Sequence, residues 1–402
     1  MNHVELLEAA RALKPWLVGI RRRIHAEPEL GLEEHKTADA ICAYLDELGI
    51  PYSRKGTAVV GLIQGPGAAE GAAGSACRVV ALRADIDALP IQEITGESYA
   101  SRNAGKMHAC GHDAHTAVLL GAASLLVRHQ ASMKGSAKLL FQPAEETVGG
   151  AETMIADGCL QKPEVDAVIG LHVQAYVPVG SVEMKKGVFS GSSATLSITI
   201  RGKAAHGAYP ENGIDAILIA ANVTTALHSL VSRYVSPLES AVLTIGKISG
   251  GTAENVIAES VVMEGTLRTT SDATRDLLLS RARAIVEGVA ASFGGSGKLE
   301  FQYGYAALVN DDRVVDAAAE VAASLLGPGK IQWKEKPSMG VEDFSFFARE
   351  VPGAFYNLGC GNAGLGITSP IHTAVFDIDE DCLVYGAALQ AALCLRLLEK
   401  GL

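Results

Sequence analysis

The pattern of apolar residues predicts an α/β protein: a mostly parallel sheet flanked by helices, interrupted by an inserted ferredoxin-like α+β unit. Three observations point that way. Apolar runs at Arg78–Leu82, Lys138–Phe141 and Ala167–Leu171 alternate with stretches of helical spacing such as Thr116–Arg128 and Gly150–Asp157. From about Ser193 to Tyr303 this alternation gives way to the order β-α-β-β-α-β. The 402 residues also exceed what one hydrophobic core usually holds, so two domains are expected.

The chain opens with helical spacing over Val4–His25 and again over Glu33–Leu48. Gly65 to Ser75 is made of glycine, alanine and other small residues and reads as an exposed hairpin tip or insertion without chemistry. In the inserted unit, strand Thr195–Arg201 precedes helix Gly213–Val231, strands Ser240–Ile248 and Glu259–Thr269, helix Asp272–Phe293 and strand Leu299–Tyr303. From about Ala307 the elements return to the first domain. The expected partition is a first domain in two parts, 1–187 and 305–402, around a satellite at 188–304.

Composition narrows the partners. A net charge of −11 disfavours nucleic acid, whose phosphates need a basic face. The first residues carry early acids and an amphipathic period, unlike a secretory signal. The apolar stretch Ala117 to Val127 is too short to span a bilayer, so no membrane partner is expected. Seven cysteines, an odd count without C-x-x-C, fit reduced thiols in the cytoplasm better than a disulfide framework.

Five residues in distant contexts carry metal-binding chemistry. Cys110 and His112 lie in Met107-His-Ala-Cys-Gly-His-Asp-Ala-His115, and Glu146 ends Gln142-Pro-Ala-Glu-Glu. His172 sits in Gly170-Leu-His-Val173, and His372 in Pro370-Ile-His-Thr373. Thiolate, imidazole and carboxylate all suit a borderline-soft divalent cation, which leaves Glu145 to handle protons. Cys110 and His112, two apart on an extended strand end, would point the same way. His108 and His115 in the same segment read as supporting or core groups. Singly, each signal has a plainer explanation: a buried cysteine beside a hydrogen-bonded histidine, a solvated acidic pair opening a helix, a satisfied core histidine. Asp85 and Asp87 share a strand face, where one can orient a ligand histidine or simply open a turn before Pro90. Gly359-Cys-Gly-Asn-Ala-Gly364 matches G-x-G-x-x-G, but Pro370 and its neighbours cannot open a phosphate-binding helix, so it reads as a loop.

Taken together, these stretches resemble the M20 metallopeptidase family, and within it the amidohydrolase branch of hippurate hydrolases, N-acyl-amino-acid deacylases and auxin-conjugate hydrolases. The resemblance runs from Arg22-Arg-Ile-His-Ala-Glu-Pro-Glu-Leu-Gly31 to His372-Thr-Ala-Val-Phe-Asp-Ile-Asp379. It implies hydrolysis of an N-acyl-amino-acid amide by metal-activated water. Cys110, His112, Glu146, His172 and His372 become ligands of two zinc or manganese ions (cobalt or nickel as substitutes). Glu145 becomes the general base and Asp87 the carboxylate behind the ligands. The satellite becomes a lid or dimerisation domain of a homodimer. There His206, in Lys203-Ala-Ala-His-Gly-Ala-Tyr-Pro210, reaches the substrate, with Asn255 and Arg268 as further contacts. Two departures stand out: the glycine-alanine insertion before Cys77, and Ala258 where such sequences carry proline. A dipeptidase or aminopeptidase of the same architecture is the alternative, and a silent amino-acid-binding protein a more distant one.

Overall fold

The structure is a computed structural model that describes residues 3–66 and 78–402. The glycine-alanine insertion, apart from Gly65 and Pro66, and Cys77 lie outside the described residues. The chain divides into two compact units: Met1–Gly187 with Val309–Lys336 and Asp343–Leu402, and Val188–Leu308 with Pro337–Glu342.

The first unit is an α/β layer structure around an eight-stranded sheet. From edge to edge its strands are Tyr52–Lys55, Ala58–Gln64, Gly135–Gln142, Arg78–Asp85, Ala167–Pro178, Gly353–Gly361, Val182–Met184 and Ile331–Trp333. The four central strands run parallel, and antiparallel pairings are confined to the flanks. Those central strands are buried on both faces almost throughout, which is why they read as continuous apolar runs. The flanking hairpin Tyr52–Lys55/Ala58–Gln64 and the short strands Val182–Met184 and Ile331–Trp333 were not anticipated. The three strands of three or four residues carry too little periodicity to read, whereas the seven residues of Ala58–Gln64 alternate in burial and were legible.

The expected helix over Val4–His25 is two helices, His3–Ala12 and Lys14–His25. Pro15 at the start of the second lacks an N–H and would clash with the preceding turn, so the ladder restarts there. Gly359 to Gly361, assigned to a loop, instead complete strand Gly353–Gly361; a Cβ at Gly361 would lie 1.8 Å from the Ala175 carbonyl oxygen, so the strands approach as only glycine allows.

Helix His112–His129 is buried all round from His112 to Leu126 and packs against helices Lys14–His25 and Asp381–Lys400. Among the described residues, Asp381–Lys400 is long and apolar enough to cross a membrane, yet it lies mostly inside this core. The three helices meet at Gly121, where an added Cβ would stand 2.7 Å from Leu17 Cδ2 and 2.8 Å from Ala387 Cβ.

The second unit has the sheet order Ala241–Gly250, Ser260–Thr269, Ser192–Arg201, Ser296–Tyr303, antiparallel throughout. Helices Ala216–His228 and Asp272–Ser292 cover one face. Ala194, Leu196, Ile198 and Ile200 point into that core while the alternate residues of the strand face out. Asp215 and Ser271 cap the two helices through their side-chain oxygens.

Gly121→Val is expected to destabilise the first unit by about 1–3 kcal/mol through overpacking. Equilibrium urea unfolding measures it as a lower midpoint with unchanged slope.

Candidate metal centre

The candidate donors gather at the carboxyl ends of three central strands. Strand Arg78–Asp85 delivers Asp85 and then Asp87, both buried. Strand Gly135–Gln142 runs into the turn holding Glu145 and Glu146, and strand Ala167–Pro178 carries His172.

Cys110 and His112 do not share a strand end, as the spacing had suggested. Cys110 lies in a turn and His112 is the first residue of helix His112–His129. Between them Gly111 adopts φ +88°, and a Cβ there would meet Val173 Cγ2 at 2.3 Å. A left-handed corner that only glycine can make, rather than strand alternation, brings both side chains to one place.

The Glu145–Glu146 turn depends on a second left-handed residue, Ala144 at φ +60°. Its N–H donates to Glu34 Oε1 at 2.9 Å, and Glu34 Oε2 accepts from Thr57 Oγ1 at 2.9 Å. Glu34 is fully buried and sequence reasoning missed it. An acid just before a helix is usually a solvated N-terminal charge, so nothing in the pattern set it apart. His372 is likewise left-handed, φ +63°, and its N–H donates to the Ala109 carbonyl at 2.8 Å, tying the Pro370–Thr373 loop to the Cys110 segment.

Cys110 Sγ lies 3.2 Å from His172 Nε2 and 3.2 Å from His372 Nε2. Donor atoms of Cys110, His112 and His172 fall within 4.8 Å of one another, as do those of Cys110, Glu146 and His372. Cys110 is common to both triads. Glu145 groups with His112 and Glu146 at the same spacing. His112 Nδ1 is 3.1 Å from Asp87 Oδ1, and Asp87 Oδ2 accepts the Glu146 N–H at 3.0 Å. His172 Nδ1 donates to the Val173 carbonyl at 2.7 Å, which leaves a lone pair on Nε2. His115 has no nitrogen to spare: Nδ1 donates to Asp85 at 2.5 Å and Nε2 accepts the Val173 N–H at 2.9 Å. His108 is buried with neither ring nitrogen hydrogen-bonded, and burial holds its pKa down to about 3.

The residues present fit a divalent cation. His112 Nε2 and Glu146 Oε1 are buried and make no hydrogen bond, although Glu146 Oε1 comes within 3.1 Å of His372 Nε2. Such orphaned polar atoms are costly unless something binds them. Burial pushes the Cys110 thiol well above its usual value, and the Glu146 and Glu145 carboxylates push it the same way. Burial works against a charged His112, yet Asp85, Asp87 and Glu146 outweigh it and raise the ring to about 10. Carboxylates contribute to both shifts, and a bound cation would oppose them.

In the second unit, His206 lies on the short antiparallel pair Ala205–His206/Val256–Ile257 opposite Val256, and Asn255 is in the turn just before Val256; both are exposed. The Gly207 N–H donates to the Asn255 carbonyl at 2.7 Å, and the His206 Nδ1 accepts the Ala208 N–H at 3.1 Å. Arg268, in strand Ser260–Thr269, is half-buried and donates to the Leu267 carbonyl at 3.2 Å.

A family profile described as peptidase family M20/M25/M40 matches residues 81–396. An N-acetyl-L-cysteine deacetylase of Bacillus subtilis is 41% identical over 396 residues, covering 97% of this chain and 90% of its own. The IAA-amino acid hydrolase ILR1-like 4 of Arabidopsis thaliana is 38% identical, covering 95% and 86%. Thermostable carboxypeptidase 2 of Saccharolobus solfataricus is 34% identical over the full length of both chains. A crystal structure of a Bacillus subtilis protein, described as a dinuclear metal-binding peptidase from the M20 family, superposes with a TM-score of 0.83 at 33% identity, over 97% and 99% of the two chains.

A charged cluster supports the amino end of helix His112–His129. Asp113 Oδ2 accepts from Arg21 Nε at 2.9 Å and lies 2.8 Å from His25 Nδ1, while His25 Nε2 is 3.3 Å from Glu93 Oε1. Burial disfavours a charged His25, but Asp113 and Glu93 outweigh it and raise it to about 9. Unfolded, the ring titrates at about 6.5. Its contribution is therefore full below pH 6.5 and lost as pH rises through about 9, and is on the order of 3 kcal/mol. Unfolding free energy of the metal-stripped protein should fall between pH 6.5 and 9, and His25→Gln should reduce that slope while leaving the part due to His112, raised to about 10.

Proposed function

Because the chain belongs to the M20/M25/M40 peptidase family, a family of hydrolases, we propose that it cleaves the amide bond of N-acyl-amino acids. In this reading Cys110, His112, Glu146, His172 and His372 hold two divalent cations, zinc or manganese, and Glu145 carries the proton. The observation that supports it most is the division within the cluster. Two donor triads share Cys110, while Glu145 is in neither of them and instead groups with His112 and Glu146, close enough to act on whatever the triads hold.

When bound, the cations polarise the scissile carbonyl and make a water acidic enough to lose a proton near neutrality. Glu145 takes that proton and returns it to the departing amine. Its carboxylate is buried, which shields the proton it carries from bulk water. Asp87 holds the His112 ring by Nδ1 and turns Nε2 toward the cavity. His206 donates to the developing oxyanion, and Asn255 and Arg268 offer further donors to the substrate. The second unit would pair two chains into a homodimer, so that His206 serves the partner. The six cysteines among the described residues are free thiols, which suits a cytoplasmic setting.

The full-length similarity to a carboxypeptidase favours a second reading, cleavage of a carboxy-terminal peptide bond. The scissile amide is the same in both; the acyl side differs. Rates on N-acetyl-, benzoyl- and indole-acetyl-amino acids compared with free dipeptides and blocked peptides decide between them, and the acyl-amino acids are expected to lead.

Glu145→Gln is expected to lower kcat by about 10²- to 10⁴-fold while the protein still takes up divalent cation. Near-normal turnover in a metal-loaded variant would remove Glu145 from the chemistry. Mixing Glu145→Gln with His206→Ala subunits should restore part of the activity through hybrid dimers. No recovery, with subunit exchange confirmed, would place His206 within its own chain or outside catalysis.

A further inference from the structure

Asp343 precedes the short helix Phe344–Glu350, is wholly buried, and has both carboxylate oxygens hydrogen-bonded. Oδ1 accepts from Arg83 Nη2 at 2.8 Å. Oδ2 accepts from Gln142 Nε2 at 2.6 Å and from the Ala151 N–H at 3.1 Å. Gln142 and Ala151 stand at the two ends of the turn that carries Glu145 and Glu146. Arg83 is buried as well, and its remaining arms go to Asp85 Oδ2 at 2.5 Å and Gln142 Oε1 at 2.8 Å. Asp85 then holds His115, and His115 takes the backbone N–H of Val173, beside His172.

We propose that Asp343 is a positioning residue of the metal centre, clamping both ends of the Glu145–Glu146 turn while anchoring Arg83 behind Asp85. The inference rests on the metal-site reading given above and adds to it a residue far along the chain, outside the proposed ligand set, whose carboxylate lies within 4.8 Å of that of Glu145. The chemistry requires a carboxylate. Asparagine fails in either flip, because its amide nitrogen meets the Arg83 guanidinium in one and the Gln142 and Ala151 donors in the other. It would also remove one counter-charge from the buried Arg83. The strain would be relieved by movement of the turn and of Asp85, which carries it to both halves of the donor set.

Cobalt(II) titration of the full-length, metal-stripped protein, followed by visible absorption, tests this beside steady-state kinetics. Asp343→Asn is expected to bind cobalt about 10- to 100-fold more weakly and to lose kcat by a similar factor. KM should change little. The double variant Gln142→Glu/Asp343→Asn reverses the amide–carboxylate pair and restores the charge beside Arg83 but leaves the Ala151 N–H facing an amide nitrogen. It should therefore recover part of the cobalt affinity; no recovery in a folded double variant counts against the inference. A merely structural role predicts a lower melting temperature with unchanged cobalt affinity and kcat, and that result overturns the inference. Should Asp343→Asn not fold, Gln142→Met, which removes the clamp but no charge, carries the test: weaker cobalt binding supports the inference and unchanged binding overturns it. A parent protein that takes up no cobalt overturns the metal-site reading, and this inference with it.

Discussion

The site depends most on one carboxylate that touches two separate stretches of chain. Asp87 takes the His112 ring with one oxygen and the Glu146 backbone N–H with the other. The first contact selects which imidazole nitrogen faces the cavity; the second fixes where the turn bearing Glu145 and Glu146 begins. Asp87 can do both because it follows a buried central strand, where main-chain hydrogen bonds to neighbours on both sides leave little freedom. The inward atoms, His112 Nε2 and Glu146 Oε1, are thus set without hydrogen bonds of their own.

Around this centre lie charges that a protein interior rarely tolerates. Arg21 and Arg83 are both fully buried, and each is matched by more than one carboxylate. Burial alone would raise the Asp85 carboxyl, but Arg83, His112 and His115 together hold it well below the usual carboxylate range. Paired charges of this kind add little net stability over apolar packing; what they provide is a fixed arrangement, since losing one partner strands the other. Catalysis by preorganised groups needs that rigidity more than it needs extra stability.

The sequence revealed the fold to the extent that periodicity carried it. The central strands and the long helices are apolar enough to read, and the change of order after Ser193 disclosed the inserted unit. Pro15 divided a helix that apolar spacing alone made continuous. The short flanking strands stayed hidden because hydrogen bonding to neighbours, rather than their own composition, makes them strands. At the site, residue types were legible and backbone geometry was not. Cys110 and His112 converge through the left-handed Gly111, a conformation that spacing cannot encode. Glu34 looks like an ordinary helix-end charge in sequence, and Arg83 and Asp343 lie in segments that carry no assignable role for them there; their roles exist only after distant segments pack together.

Anomalous diffraction from crystals grown with manganese or zinc tests the central reading most directly. Two anomalous peaks are expected among Cys110, His112, Glu146, His172 and His372, with Asp87 still on His112 Nδ1. Peaks elsewhere, or none among these five side chains, would contradict it.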